Sequence, residues 1–352
     1  MNTRIPVTVI GATGVVGQRF TQRLAQHPEF EIRHLAASSR SAGKSYADAC
    51  TWRLGSTPYA GLAHQKIVES SSTAAMAPLV FSALDAGVAG PIEEEFARAG
   101  ATVFSNASAH RMDEDVPLLV PEVNPEHLDL LPVQRQRRGW SGAILCNPNC
   151  TTTVLVMALA PLHRAFGLEA FSLVSMQAVS GSGYPGVASL DILGNVLPYI
   201  AGEEEKVEEE AARLLGSFNG KSIDPAIISS SAQCHRVPVI DGHTEAVSVK
   251  LHGNPTTEEI IEVLSEWRAA PQELGLTSAP PSPLVIHNAP DRPQVVHDVT
   301  TDGGMSVHVG RIRPCSVLGT KFVLLGHNTE RGAAGGSVLN AELAVARGLI
   351  NS

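Results

Sequence analysis

Aromatic residues make up only 5% of this chain and charged residues 17%, while hydrophobic residues reach 43%. That balance belongs to an ordinary globular protein rather than to a disordered one. Long apolar runs are missing: the longest, around Val154 to Leu162, is about half of a bilayer span, which argues against any membrane-spanning segment. Positive charge is not in excess either, and a net charge of −9 argues against nucleic acid and anionic membrane surfaces as partners. No CxxC pair and no Cys/His ligand spacing suggests zinc, so no metal is expected. The five cysteines, Cys50, Cys146, Cys150, Cys234 and Cys315, form an odd and scattered set that fits reduced thiols and a cytoplasmic protein. The first residues pass directly into a strand and a glycine turn, so no secretion signal is read there. Internal repeats and low-complexity segments are absent.

What is present is a chain of 352 residues, long enough for two domains. Residues 5–10 read as a buried strand, Gly11-Ala-Thr-Gly14-Val-Val-Gly17 as a tight turn opening a helix that runs to about Gln26, and residues 31–37 as a second strand. The Gly-x-x-Gly-x-x-Gly spacing departs from the commoner Gly-x-Gly-x-x-Gly, and a ligand-free glycine turn is the competing reading. Its position between a strand and a helix is what marks it as a dinucleotide fingerprint. Gly11, Gly14 and Gly17, with Thr13, Val15 and Val16 among them, would let a pyrophosphate lie on the helix N-terminus. An NAD site would carry Asp or Glu at the end of the second strand, but the chain reads Ala36-Ala-Ser-Ser-Arg40 and continues to Lys44. Hydroxyls and cations suit a 2′-phosphate, so Ser38, Ser39, Arg40 and Lys44 are candidate contacts for NADP; the alternative is a solvated loop.

Strand and helix signals alternate at residues 79–84, 91–99 and 101–105, completing a parallel nucleotide-binding half. Beyond residue 150 the texture changes. Residues 170–178, 245–251 and 305–312 alternate like antiparallel strands, with helices at 203–215 and 257–269. A last helix, about 335–350, is apolar on one face and returns to the first domain. The expected fold class is α/β: a Rossmann-type dinucleotide-binding domain of residues 1–150 and 329–352, plus a second, α+β domain of residues 151–328 with a mixed, largely antiparallel sheet. Residues 127–140, with Arg135, Arg137 and Arg138, read as a solvated basic loop.

The chemistry concentrates at Cys146-Asn-Pro-Asn-Cys150. Asn-Pro-Asn bars helix before Cys150, and Leu155, Leu159 and Leu162 follow at the spacing of a helix face. A helix N-terminus offers unpaired N–H groups, which lower a thiol pKa and can hold a developing oxyanion. A buried structural cysteine is the competing reading, and it suits Cys146 better, as a small apolar side chain at a strand end. A nucleophile also needs a proton handler and an anchor for substrate. Residues 234–245 supply both, because Arg236 suits a carboxylate by bidentate pairing and His243 titrates near neutrality.

These segments, together with Ser-Asn-Ala-Ser-Ala-His-Arg111-Met, Pro121-Glu-Val-Asn124, Gln177-Ala-Val-Ser-Gly-Ser-Gly, Gly202-Glu-Glu-Glu-Lys206, residues 303–313 and Asn328-Thr-Glu-Arg-Gly-Ala-Ala-Gly335, recur in one order. Along essentially its whole length the chain resembles the aspartate-semialdehyde dehydrogenases, in their archaeal and fungal-type branch. The resemblance implies that Cys150 is the nucleophile, His243 the general acid/base and Gln177 the residue that orients the thiohemiacetal. It implies Arg236 for the substrate α-carboxylate, Glu203 for its amino group, and Lys206 and Arg111 for inorganic phosphate, with Asn106 or Ser105 assisting. Ser180, Gly181, Asn328 and Gly335 are implied beside the cofactor. Glu203 and Lys206 share a helix face at i, i+3, whereas Glu208, Glu209 and Glu210 are expected to be a solvated face.

The implied activity is the reversible NADPH-dependent reduction of 4-phospho-L-aspartate to L-aspartate 4-semialdehyde and phosphate through a Cys150 thioester, in lysine, threonine and methionine biosynthesis, by a homodimer or homotetramer in which residues 151–328 are the catalytic and dimerisation domain. Rivals with the same chemistry are a malonyl-CoA or succinyl-CoA reductase and an N-acetyl-γ-glutamyl-phosphate reductase. A rival of another class is a non-catalytic NADP-binding sensor.

Overall fold

The computed structural model describes residues 4–55 and 57–350. Its first sheet is parallel throughout and comprises β1 (Ile5–Ile10), β2 (Phe30–Ala37), β3 (Ile67–Glu69), β4 (Leu79–Ser82), β5 (Thr102–Ser105) and β6 (Ala143–Cys146). The strand order is β3-β2-β1-β4-β5-β6. In such a sheet the order reverses beside β1, and the crevice beyond the carboxyl ends of β1 and β4 is where ligands lie. β4, β5 and β6 are buried at every residue, as parallel strands covered on both faces must be.

The turn from β1 into α1 (Val15–Leu24) gives its glycines different reasons. Gly11 has φ +74°, and a Cβ there would lie 2.5 Å from the Ala83 carbonyl oxygen; a Cβ on Gly17 would lie 2.2 Å from the Gly11 oxygen. Gly14, the N-cap of α1, would meet only that oxygen, at 3.5 Å, so packing does not demand glycine there. No side chain caps α1, which leaves its first N–H groups to an outside acceptor.

α2 (Ala86–Arg98) begins earlier than the apolar pattern suggests, and α3 (Leu130–Arg138) overturns the basic-loop expectation for residues 127–140. Leu130, Leu131 and Gln134 are buried on α3. Gln134 accepts from the Ile144 N–H at 2.7 Å and donates to the Asp115 and Ile144 carbonyls at 3.1 and 2.9 Å. Arg138 pairs with Asp113 and Asp115, and Gly139, left-handed at φ +64°, ends the helix. One of the three buried residues of the helix is therefore polar, and apolar periodicity does not register it.

α4 (Cys150–Phe166) leaves β6 through Asn147-Pro-Asn149, and the Asn149 side chain caps it by accepting from the Thr151 and Thr152 N–H groups. Residues 151–162 are all buried, so the expected single apolar face is a helix enclosed on every side. α4 packs on a second sheet of β7 (Leu168–Gln177), β10 (Ser229–Arg236), β11 (His243–Leu251), β12 (Leu284–His287), β13 (Val307–Cys315) and β14 (Gly319–Gly326), in the order β10-β7-β11-β14-β13-β12. The β7–β11, β11–β14 and β13–β14 pairs are antiparallel and the two outer pairs parallel, a mixed sheet as expected. β8 (Ser217–Phe218) and β9 (Ile223–Asp224) form a separate hairpin after α5 (Glu203–Leu214). The second sheet turns one face to α4 and α6 (Thr257–Glu266) and exposes Val174, Gln233 and Ala246 on the other. α7 (Gly335–Ala346) packs against α1 and β5, and five residues of π-helix, Glu330–Ala334, lead into it. No helix among the described residues is long and apolar enough to cross a membrane.

The π-turn is pinned by a fully buried ion pair. Arg331 donates to both oxygens of Glu122, with side chains 1% and 0% exposed. Replacing Glu122 by Leu leaves a buried guanidinium unpaired, so denaturant unfolding should show a loss of about 3–5 kcal/mol. A loss below about 1 kcal/mol would mean that Arg331 is not held by this pair.

Candidate functional site

β7 and β10 end, and β11 begins, at the same edge of the second sheet. Register sets Gln177 opposite Arg236 and His243 opposite Gly326. Gln177, Arg236 and His243 are all buried in this row, beside the N-terminus of α4. There the His243 Nε2 lies 3.1 Å from the Cys150 Sγ. His243 Nδ1 accepts the Ala178 N–H at 3.1 Å, and Arg236 donates to the Ala178 carbonyl at 2.8 Å. One residue, Ala178, thus orients both side chains through its N–H and its carbonyl. With Nδ1 accepting, the neutral ring carries its proton on Nε2 and donates toward sulfur. Gln177 donates from Nε2 to Ser175 Oγ at 3.2 Å.

Desolvation overrides the helix N-terminus here. Burial pushes the Cys150 thiol up to about 12, the charge of Glu203 adds to this, and Arg111, Arg236 and the Thr151 N–H oppose it. Burial, then the charge of Arg236, draws His243 down to about 3. The expectations of an acidified thiol and of a histidine titrating near neutrality are therefore both corrected: the pair rests as thiol and neutral imidazole. The N–H donors of α4 act in the foreseen direction and are outweighed.

A ring of alternating charge surrounds the pair. Asn149, besides capping α4, donates from Nδ2 to Glu203 at 2.8 Å, and its backbone N–H donates to Glu210 at 2.5 Å. Arg111 donates to Glu210 at 3.0 Å and to the Asn106 carbonyl at 2.8 Å. Lys206, its side chain 40% exposed, stands 4.0 Å from Glu203. Glu210 thereby departs from the solvated face expected of it: it is buried against Arg111, and the burial raises its pKa. Glu208 accepts the Ala232 N–H at 2.8 Å, and Glu209 alone of the three is exposed. The alternation of three consecutive glutamates around a helix hides which one turns inward.

Ser38, Ser39, Arg40 and Lys44 are exposed just beyond β2, and no carboxylate stands among residues 38–44. With the uncapped N-terminus of α1 and the open space at Gly14, these residues fit a 2′-phosphorylated dinucleotide. Thr13, Val15 and Val16 lie in and just after that turn. Asn328 accepts the Gly242 N–H and donates to Ser180 Oγ, both at 2.8 Å, which closes the loop of His243 against residues 178–180. A Cβ on Gly181 would lie 2.8 Å from Arg236 Nη1, and one on Gly335 2.3 Å from Met305 Sδ, so both glycines have packing reasons. Asn106 lies farther out, accepting from Asn147 at 3.1 Å, and Ser105 donates to the buried Glu93 at 2.7 Å.

Sequence reasoning missed Asn149, Glu210, Ser175 and Gly332. Asn149 has the readable signal of an N-cap residue. Gly332 has none: a Cβ there would lie 2.7 Å from the Cys150 Cβ, a contact across 182 positions of sequence (332 − 150) that only the fold creates. Because the thiol pKa is raised, alkylation of Cys150 by iodoacetamide should climb from about pH 6 to about pH 9 without levelling. A plateau below about pH 8 would reveal a thiolate already formed at neutral pH.

Residues 6–131 match the family model described as semialdehyde dehydrogenase, NAD binding domain, and residues 159–331 that described as semialdehyde dehydrogenase, dimerisation domain. The chain is 50% identical over 348 residues to the aspartate-semialdehyde dehydrogenase of Archaeoglobus fulgidus, covering 99% of this chain and 100% of that protein. It is 49% identical over 342 residues to that of Methanothermobacter thermautotrophicus, covering 96% and 98%. The crystal structure of aspartate semialdehyde dehydrogenase with NADP from Candida albicans matches with a TM-score of 0.90 at 43% identity, over 98% of this chain and 100% of that one. With a thiol and an imidazole in contact between a dinucleotide-type sheet and a mixed sheet, the chain belongs to the aspartate-semialdehyde dehydrogenase family.

Proposed function

We propose that this chain interconverts L-aspartate 4-semialdehyde and 4-phospho-L-aspartate with NADP, Cys150 carrying the acyl group. The observation that carries the reading is the 3.1 Å contact between Cys150 Sγ and His243 Nε2, set inside a ring of Arg236, Glu203, Lys206 and Arg111. In the oxidative direction Cys150 gives up its thiol proton to solvent, and the thiolate adds to the aldehyde carbon, forming the C–S bond and leaving the charge on oxygen. His243 shares its Nε2 proton first with sulfur and then with that oxygen, which is an acid's role performed without forming an imidazolate. Gln177 orients the adduct, Arg236 takes the α-carboxylate and Glu203 the ammonium group. The adduct carbon then loses hydride and becomes a thioester. NADP, held by the turn of residues 11–17 and by Ser38, Ser39, Arg40 and Lys44, supplies the hydride acceptor when bound. A phosphate oxygen, guided by Lys206 and Arg111, attacks the thioester carbon, and sulfur leaves with the bonding pair.

The same reading divides the chain into residues 1–150 with 329–352 and residues 151–328; the packing of α7 on α1 supports this. It makes the exposed face of the second sheet the self-association surface of a homodimer or homotetramer, in keeping with the dimerisation-domain match. It places the protein in the cytoplasm, where five unpaired cysteines are at home.

NADPH formation from aspartate semialdehyde should require phosphate, and Cys150→Ala should abolish it. Turnover without phosphate, or by the alanine variant, would overturn the reading and turn attention to acyl-CoA chemistry. Because His243 acts as a donor, His243→Gln, which keeps an N–H near the same point, should retain at least about tenfold more kcat than His243→Ala. Arg40→Ala should raise KM for NADP by about tenfold and leave NAD unaffected. Equal use of the two dinucleotides by the unsubstituted enzyme would remove the case for residues 38–44.

A further inference from the structure

The nucleophile and its histidine are tied back to α1, the helix that opens at the dinucleotide turn. Arg19 and Arg23, four residues apart, lie on one face of α1. Arg19 donates to Glu330 Oε1 at 3.0 Å, and Arg23 donates to Glu330 Oε2 at 2.5 Å and to the Gly303 carbonyl at 2.7 Å. Glu330 opens the π-turn, and two residues later Gly332 abuts Cys150 so closely that a methyl group would not fit. Arg19 also reaches Asp241 Oδ2 at 3.4 Å, two residues before His243, in the loop that Asn328 holds through the Gly242 N–H. The Arg19 and Glu330 side chains are 17% and 7% exposed, so the pair is only weakly screened by water.

We propose that Arg19 is a positioning residue that joins the dinucleotide-binding helix to both members of the reacting pair: to Cys150 through Glu330 and Gly332, and to His243 through Asp241. The inference rests on the activity proposed above. Hydride transfer needs the adduct carbon and its acceptor in register, and an error of about 1 Å at such a centre costs about a hundredfold in rate. One guanidinium contacting both loops ties the helix that seats the acceptor, through Glu330 and Asp241, to the pair that holds the carbon giving up hydride. Arg19 is not needed to fasten the π-turn. Arg23 still holds Glu330, and Glu122 still holds Arg331. Its distinctive contribution is the bridge between two loops that carry the chemistry.

The test compares Arg19→Met, Arg19→Lys and Asp241→Asn in the full-length protein, reading Tm, NADPH affinity by fluorescence, kcat, and the alkylation rate of Cys150. Arg19→Met should keep Tm within a few degrees and NADPH affinity within about threefold, yet lose about 10- to 100-fold in kcat and change the alkylation rate of Cys150. Arg19→Lys should recover part of kcat, and Asp241→Asn should reproduce part of the loss. Unchanged kcat in Arg19→Met, a loss confined to NADPH affinity, or a loss that follows a fallen Tm would each overturn the proposal. If the unsubstituted enzyme shows no phosphate-dependent turnover, the proposed activity fails. The positioning role is then still decided by the alkylation rate, which an unchanged value in Arg19→Met would refute.

Discussion

The contact between Cys150 Sγ and His243 Nε2 is the interaction on which the rest of this fold is arranged. Its two atoms come from different sheets: Cys150 follows the last strand of the parallel sheet, and His243 begins a central strand of the mixed one. Every nearby element limits how far they can part. Asn149 fixes the first turn of α4, Gly332 presses on the cysteine from behind, and the Ala178 N–H holds the imidazole from the far side. A displacement of either sheet would reach this contact at once, and buried ion pairs hold the π-turn beside it.

Burial sets the chemistry of the pair as firmly as distance does. Desolvation favours the uncharged thiol and imidazole over the opposing pull of Arg111, Arg236 and the helix amides on the thiol. A neutral pair in a buried site has a use: it costs little to maintain, and it leaves the charged groups around it free for charged ligands. Those groups are balanced in advance, Glu210 by Arg111 and Glu203 by Lys206 and Asn149. In the proposed reaction an incoming carboxylate, ammonium group or phosphate would therefore trade partners within the site instead of meeting bare buried charge.

Much of this was legible from residue order. The strand, glycine turn and helix at residues 5–24 carry local signals that the structure honours, and Asn-Pro-Asn before Cys150 marks the start of α4 where it occurs. The mixed sheet was legible in its alternation. What was not legible depends on tertiary burial. Residues 127–140 look like a basic loop because of Arg135, Arg137 and Arg138, while Gln134, polar in composition, performs a core residue's task through three hydrogen bonds. Glu210 looks solvated until Arg111, distant in sequence, reaches it. The raised thiol pKa follows from how completely the site is enclosed, a quantity that no local motif encodes.

The central claim is that Cys150 carries the acyl group, and it is tested most directly by trapping that group. The enzyme would be mixed with NADP and aspartate semialdehyde without phosphate, quenched in acid and digested, and its cysteine peptides weighed by mass spectrometry. The account predicts an aspartyl group on the peptide containing Cys150, removed by a brief chase with phosphate before quenching. An unmodified Cys150 peptide, or the adduct on Cys234 instead, would contradict it.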